Sequence, residues 1–249
     1  MSTRFARIAP ALFAGLMAFA LTHHAAADIF QWEWIDPGDP GQGIRQSTTV
    51  CPGGAGVSAQ PWANLWDRDL TRAYLTGADL TGAFFANWQG GSATLTNADF
   101  TDAQVAYASF GSYAGPCKGF TAAQLYSTAS YKAKDLHGIV LVYNNLTGWN
   151  FASQNLTGAN CDLATLTNAD FTNAQVAQAS FRDTTRSGFT AAQLYSTASY
   201  KARDLNGIIL MENDLTGWNF ASQNLAGAFF WFATLTNADF TDALVLCHT

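Results

Sequence analysis

From Leu65 onward an apolar residue returns at every fifth position: Leu65 to Phe85, Leu95 to Phe110, Leu136 to Phe181 and Leu205 to Val245. Counting Gly90, which falls between the first two runs, there are 29 such positions; only Gly90 is not apolar, and Cys161 is the one other departure from Leu, Phe and Val. A helix repeats at 3.6 residues and a strand at 2, so neither gives this spacing. A coil whose sides are each five residues long does. Two residues before most centres stands Ala, as at Ala73, Ala78, Ala83, Ala164, Ala169 and Ala238. The large residue is expected to fill the inside of the coil, and the Ala to leave room for the corner. The other three positions are mostly Thr, Asn, Asp, Gly and Ser, which tolerate turns and face water.

The segments ADLTG at 78–82, ADFTD at 98–102 and ADFTN at 169–173 carry the pattern most plainly. They resemble the pentapeptide-repeat family, whose consensus is A(D/N)LXX. The resemblance is strong over residues 63–110, 157–181 and 226–243, and weaker over 134–156 and 203–225. It implies an all-β fold: a right-handed quadrilateral β-helix with four pentapeptides per coil and stacked Leu and Phe inside.

A 69-residue unit is laid over the short repeat. FTAAQLYSTASYKAKDLHGI begins at Phe120 and FTAAQLYSTASYKARDLNGI at Phe189, and ATLTNADFT occurs at Ala93, Ala164 and Ala233. The stretch from Thr121 to Lys132 breaks the five-residue pattern. Thr121 suits an N-cap, Phe120 and Leu125 suit a hydrophobic staple, and the residues between are mostly helix formers. Two short helical insertions are therefore predicted, near 120–133 and 189–202, with Lys132, Lys134, Lys201 and Arg203 pairing to Asp135 and Asp204. Leu136 to Leu146 and Leu205 to Leu215 also satisfy the leucine-rich pattern LxxLxLxxNxL. Such repeats return every 20–29 residues. These wait 69, and their five-residue phase runs on unbroken, which favours pentapeptide coils.

Residues 1–27 have a basic start at Arg4 and Arg7, an apolar run over 8–21 and Ala25-Ala26-Ala27 before Asp28. This reads as a secretory signal peptide, since the apolar run is short of the ~20 residues a spanning helix needs. The mature chain is thus expected to be exported, with no membrane span after signal removal. Its ten basic against 18 acidic residues disfavour nucleic acid, which requires a basic face. Residues 28–61 read as an N-terminal capping arm and 62–249 as the solenoid. Export permits disulfides. Cys161 occupies an inward position, and the pairing of Cys51, Cys117 and Cys247 is left open.

Chemistry is sparse. His137 is replaced by Asn206 in the second unit, which does not suit a catalytic or metal histidine, and no nucleophile elbow, phosphate loop or metal spacing occurs. No catalytic residue, cofactor or metal is expected. Asp precedes the centre at 69, 79, 99, 135, 170, 204, 214 and 239. Such carboxylates could imitate DNA phosphates, as some cytosolic members of the resembling family do toward gyrase. They could equally be a polar ladder that closes turns. Trp149 and Trp218 stand where Ala is expected, either as an interaction surface for a sugar or partner chain or as fillers of a widened coil. Trp32, Trp34, Trp62, Trp66, Trp88 and Trp231 gather toward the ends, as caps would. The final coil looks uncovered, which suggests a homodimer through the C-terminal coil. The functional expectation is an exported non-enzymatic scaffold or interaction protein of the cell envelope or extracellular space. Its partner would be a protein or an envelope polysaccharide. Acidic DNA mimicry is the alternative.

Overall fold

The computed structural model describes residues 28–87 and 91–245. Residues 1–27, expected to be a signal peptide, and Trp88, Gly90, Cys247 and His248 lie outside the described residues.

The chain winds as a solenoid. Over the regular coils parallel bridges join a residue to the one 20 positions later: Asp135 to Asn155, Val140 to Asn160, Asn145 to Thr165 and Asn150 to Asp170. Twenty residues per turn is four five-residue sides. The same step holds at Asp204–Asn224 and Asp214–Thr234, so 136–156 and 205–225 are five-residue coils and not leucine-rich units. Every centre from Leu65 to Leu225 that is described is buried, and the Ala residues beside them are buried with few exceptions. At most corners the N–H three residues after a centre donates to the centre's carbonyl, as in Ala73 to Leu70. The residue between has φ near +60°, for example Arg72 at 61° and Asn173 at 57°, as in a type II turn.

Four ladders run along the axis, one per side. The first joins Asn64, Phe84, Ser109, Val140, Asn160, Ser180, Ile209 and Phe229. The second includes Asp69, Thr94 and Lys118; the third Tyr74 and Asp99, then Asn150 and Asp170; the fourth Asp79 and Gln104, then Asp135 and Asn155. Among the described residues the first ladder alone carries no charged side chain.

Residues 28–61 form a hairpin of β1 (Phe30–Trp34) and β2 (Ile44–Val50). The outer edge of β1 pairs antiparallel with the third side of the first coil: Trp32 N–H donates to Arg72 O at 2.9 Å and Tyr74 N–H to Phe30 O at 2.8 Å. The Arg72 guanidinium lies 4.4 Å from the centre of the Trp32 ring. This pairing occupies strand edge that would otherwise stand open.

A second hairpin is made by β3 (Gly111–Ser112) and β4 (Gly115–Pro116). The helical insertions are each two helices: α1 (Ala122–Ser127) with α2 (Ala129–Lys132), and α3 (Ala191–Ser196) with α4 (Ala198–Lys201). Thr121 and Thr190 close capping boxes with Gln124 and Gln193. Thr128, extended at ψ 151°, interrupts what would otherwise be one helix and caps the next. Each insertion bonds to the rung below, as Ala129 N–H does to Ala103 O at 2.9 Å and Ala198 N–H to Ala174 O at 2.8 Å.

The charge pairs differ from expectation. Lys132 reaches back to Asp102 at 2.8 Å, and Lys201 to the Asn173 amide oxygen at 2.8 Å. Asp135 is held by His137 and Asn155, and Asp204 by Asn206 and Asn224, because each ladder neighbour stacks directly above. Cys51, Cys117 and Cys161 are buried free thiols. Burial pushes Cys117 and Cys161 up to about 12 and Cys51 to about 11.

Candidate functional site

Trp149 and Trp218 are 8% and 7% exposed, so the interaction-surface reading of them is corrected to the filling one. The insertions come over these corners. Trp149 packs against Phe120 at 5.8 Å, Tyr126 of α1 at 6.3 Å and Phe151 at 6.2 Å, and Trp218 repeats this with Phe189, Tyr195 and Phe220. A large aromatic ring contributes most when so buried.

Exposed aromatics lie elsewhere, several of them along the uncharged first ladder. Trp62, in a corner with φ 60°, is 60% exposed, and Tyr107, at the equivalent corner with φ 58°, is 47% exposed. Each ring lies over a glycine of the next coil. A methyl built on Gly82 would sit 2.3 Å from the Trp62 ring, and one on Gly138 2.1 Å from the Tyr107 ring. The two rings are inclined by 28° with centroids 6.3 Å apart, too far for face-to-face contact, so they lie offset along the axis. His137 meets the edge of Tyr107 at 4.5 Å while its Nδ1 lies 2.6 Å from Asp135. It supports the aromatic row from behind.

The other wall is the β3–β4 hairpin. Gly111 passes so close to Val142 that a methyl there would stand 2.1 Å from its carbonyl oxygen, which only glycine permits. The hairpin thereby places Tyr113 against the solenoid, where its hydroxyl donates to Asp162 two coils away from β3. Burial first, then the Asp162 carboxylate, raise the Tyr113 phenol above its ordinary pKa. Asp162 also accepts from Ser180 Oγ and, at 3.1 Å, from Arg182 N–H, and so is fully engaged although buried. Between the walls lies a groove of about 470 Å³, with Trp62, Trp66, Phe84 and Tyr107 along it and Asn64, Ser109 and Asn160 supplying polar atoms. No charged residue lines it among the described residues.

The Asp positions serve the turns. Asp69, Asp79 and Asp99 accept from the N–H two residues on at 3.0, 3.1 and 3.1 Å, as Asn145 and Asn155 do in their places. Hydrogen bonds from Thr172, Thr216 and Thr241 hold Asp170, Asp214 and Asp239 below the ordinary carboxylate value. Among the described residues no cluster of three or more His, Cys, Asp or Glu is placed to hold a metal, and no helix is long and apolar enough to cross a membrane.

The profile of the family described as pentapeptide repeats matches in eight copies, over residues 62–89, 145–183 and 204–243. The chain carries pentapeptide repeats. The pentapeptide-repeat chain is similar to solved structures at low identity. Trypsin-treated QnrB1, a plasmid-mediated fluoroquinolone resistance protein, is 11% identical over 72% of this chain and 78% of that one, with a TM-score of 0.36. HetL, a pentapeptide-repeat protein involved in heterocyst differentiation regulation from the cyanobacterium Nostoc sp. Strain PCC 7120, is 22% identical over 74% and 71%, with a TM-score of 0.20. No curated protein matches the chain.

The groove does not stand out in the sequence because its residues are spread from Trp62 to Asn160. One signal is present there. Ala93 and Ala164 begin the same motif 71 residues apart, whereas Phe120 and Phe189 begin theirs 69 apart. The difference is the two extra residues that segment 111–119 carries over 182–188, and they build the hairpin.

Proposed function

We propose that this protein is an exported, non-enzymatic scaffold that holds another macromolecule of the envelope or extracellular space on its uncharged first face. The observation that carries this reading is the aromatic groove between Trp62, Tyr107 and the β3–β4 hairpin. Exposed aromatic surface of this kind marks an interaction site. The signal-like residues 1–27 support export. In this reading the coil is right-handed, the hand that parallel crossovers take. A homodimer through the C-terminal coil belongs to the same proposal, since Trp231, Phe232 and Leu244 are exposed there. Acidic mimicry finds less support: its logic needs dense charge toward a basic partner, whereas Asp99, Asp170 and Asp239 share the third face with Asn150 and Asn219.

Expression of the full chain in a secreting host, followed by intact-mass measurement, tests export. Loss of residues 1–27 is expected, and a cytosolic product retaining Met1 overturns it. Sedimentation with the host's envelope fraction tests the face. The wild type should pellet and a Trp62→Ala/Tyr107→Ala variant should not; equal pelleting removes the groove from the function.

A further inference from the structure

We propose that the groove binds a neutral polysaccharide, lying along the solenoid axis with its sugar rings on Trp62 and Tyr107. The inference rests on the reading of the first face as the binding surface and names the ligand class.

Four observations select this chemistry. The first is charge. The lining has no Asp, Glu, Lys or Arg, in a chain with 30 such residues, so neither an anionic nor a cationic polymer finds a counter-charge. The second is shape. The lining takes residues from five successive rungs, at 64, 84, 109, 140 and 160, and rungs roughly 4.8 Å apart span about 19 Å. That is a track for a polymer, not a pocket for a small metabolite. The third is the presentation of the rings. Trp62 and Tyr107 each rest on a glycine, offset along the axis and inclined by only 28°. The C–H faces of successive sugar rings stack on such a row, and Asn64 and Asn160 stand beside it to meet hydroxyl groups.

The fourth observation weighs against an extended peptide. The floor's backbone is already paired coil to coil: Leu65 N–H to Phe84 O, Phe85 N–H to Ser109 O, Phe110 N–H to Val140 O and Leu141 N–H to Asn160 O, all within 3.0 Å. An added strand needs free backbone donors and acceptors at a sheet edge. A polysaccharide needs only ring faces and side-chain hydrogen bonds.

Affinity electrophoresis of the purified protein through gels containing laminarin, dextran, galactomannan or hydroxyethylcellulose tests the proposal. Alginate serves as the anionic polymer and a proline-rich peptide, read by fluorescence, as the rival ligand. At least one neutral polysaccharide should retard the wild type, and alginate should not. Trp62→Ala/Tyr107→Ala should weaken that binding at least about tenfold while its melting temperature and circular dichroism stay near wild type. Trp231→Ala, at the far end of the solenoid, should bind normally. Retardation by none of the neutral polymers overturns the ligand class, as does binding that survives the double substitution or a preference for the peptide. If the envelope fraction still captures the protein through Trp62 while no neutral polymer binds, the face stands and only its ligand falls. If neither binds, both fall.

Discussion

Gly82 carries the ring of Trp62: a methyl on its α-carbon would stand 2.3 Å from Cε3. The glycine is therefore required twice, for its φ of +67° and for the space above it. Gly148 separates the two demands, because its φ is +69° but a methyl there would meet nothing within 4 Å. Alanine at either place enters the left-handed region at a cost of about 1–2 kcal/mol. Only at Gly82 must an aromatic ring also move. Urea melts should show Gly82→Ala losing more stability than Gly148→Ala, with a change of tryptophan emission in the first alone. Matching melts and spectra would remove Trp62 from its seat.

Phe171 shows how the core is held. It is buried, stacks on Phe151 at 5.4 Å and 13°, and meets Phe181 at 5.7 Å and Phe189 at 6.1 Å. Phe171→Ala should cost about 3–5 kcal/mol, since rigid coils above and below limit collapse of the cavity. Thr172 is the next residue and exposed, and Thr172→Ala removes only its hydroxyl contact to Asp170, so it should cost no more than about 1.5 kcal/mol. Chemical denaturation of the two variants measures both. Similar losses would contradict the inward and outward assignment.

The coil is legible in the sequence because each centre is buried by its own coil and its two neighbours. The spacing at Leu136, Leu141 and Leu146 therefore needs no long-range knowledge. The distinction between the four sides is not legible, because it appears only at every fourth pentapeptide. Phe84 and Asp79 occupy equivalent places in adjacent five-residue segments, yet one ladder is uncharged and the other carries carboxylates. The loop at 86–92 stretches the step to 25 residues from Asp69 to Thr94, and the first insertion stretches it to 31 from Ser109 to Val140. A tally in fives keeps phase through the first, because 25 is a multiple of five, and so hides the added side; only the second breaks it. Trp149 is ambiguous in the sequence for a related reason: only the placement of Phe120 and Tyr126 over its corner decides that it is covered.

Gln124 pins the first insertion to the coil. Its side-chain amide donates to Leu95 O at 2.8 Å and Ala98 O at 2.9 Å while its oxygen accepts from Thr121 N–H. Gln193 does the same with Leu166 and Ala169. Gln124→Glu keeps the capping acceptor but turns a carboxylate oxygen toward two carbonyls. It should cost about 1–3 kcal/mol, more than Gln124→Ala, because groups left facing one another lose more than a deleted bond. Hydrogen exchange should locate the loss at Ala129 N–H, the bond that ties α2 to Ala103. Unchanged protection there would show that the insertion is held by its aromatic contacts alone.

The turn carboxylates give the fold an acid limit. Asp170, Asp214 and Asp239 are held below 3.8 by the hydroxyl and N–H of the Thr two residues on. A carboxyl with a lowered folded pKa binds fewer protons folded than unfolded. Its contribution is therefore complete above the unfolded value and is lost as pH falls through the folded one. Asn already fills the same turn position at Asn145, Asn150 and Asn155, accepting from Thr147, Ala152 and Thr157 N–H at 3.1, 2.8 and 3.1 Å. The triple variant Asp170→Asn/Asp214→Asn/Asp239→Asn should thus keep the turns and lose their proton dependence. Its urea midpoint should fall less than that of the wild type between about pH 6 and about pH 3. An equal fall would place the acid sensitivity in other groups, and these three aspartates would then be interchangeable with asparagine at every pH.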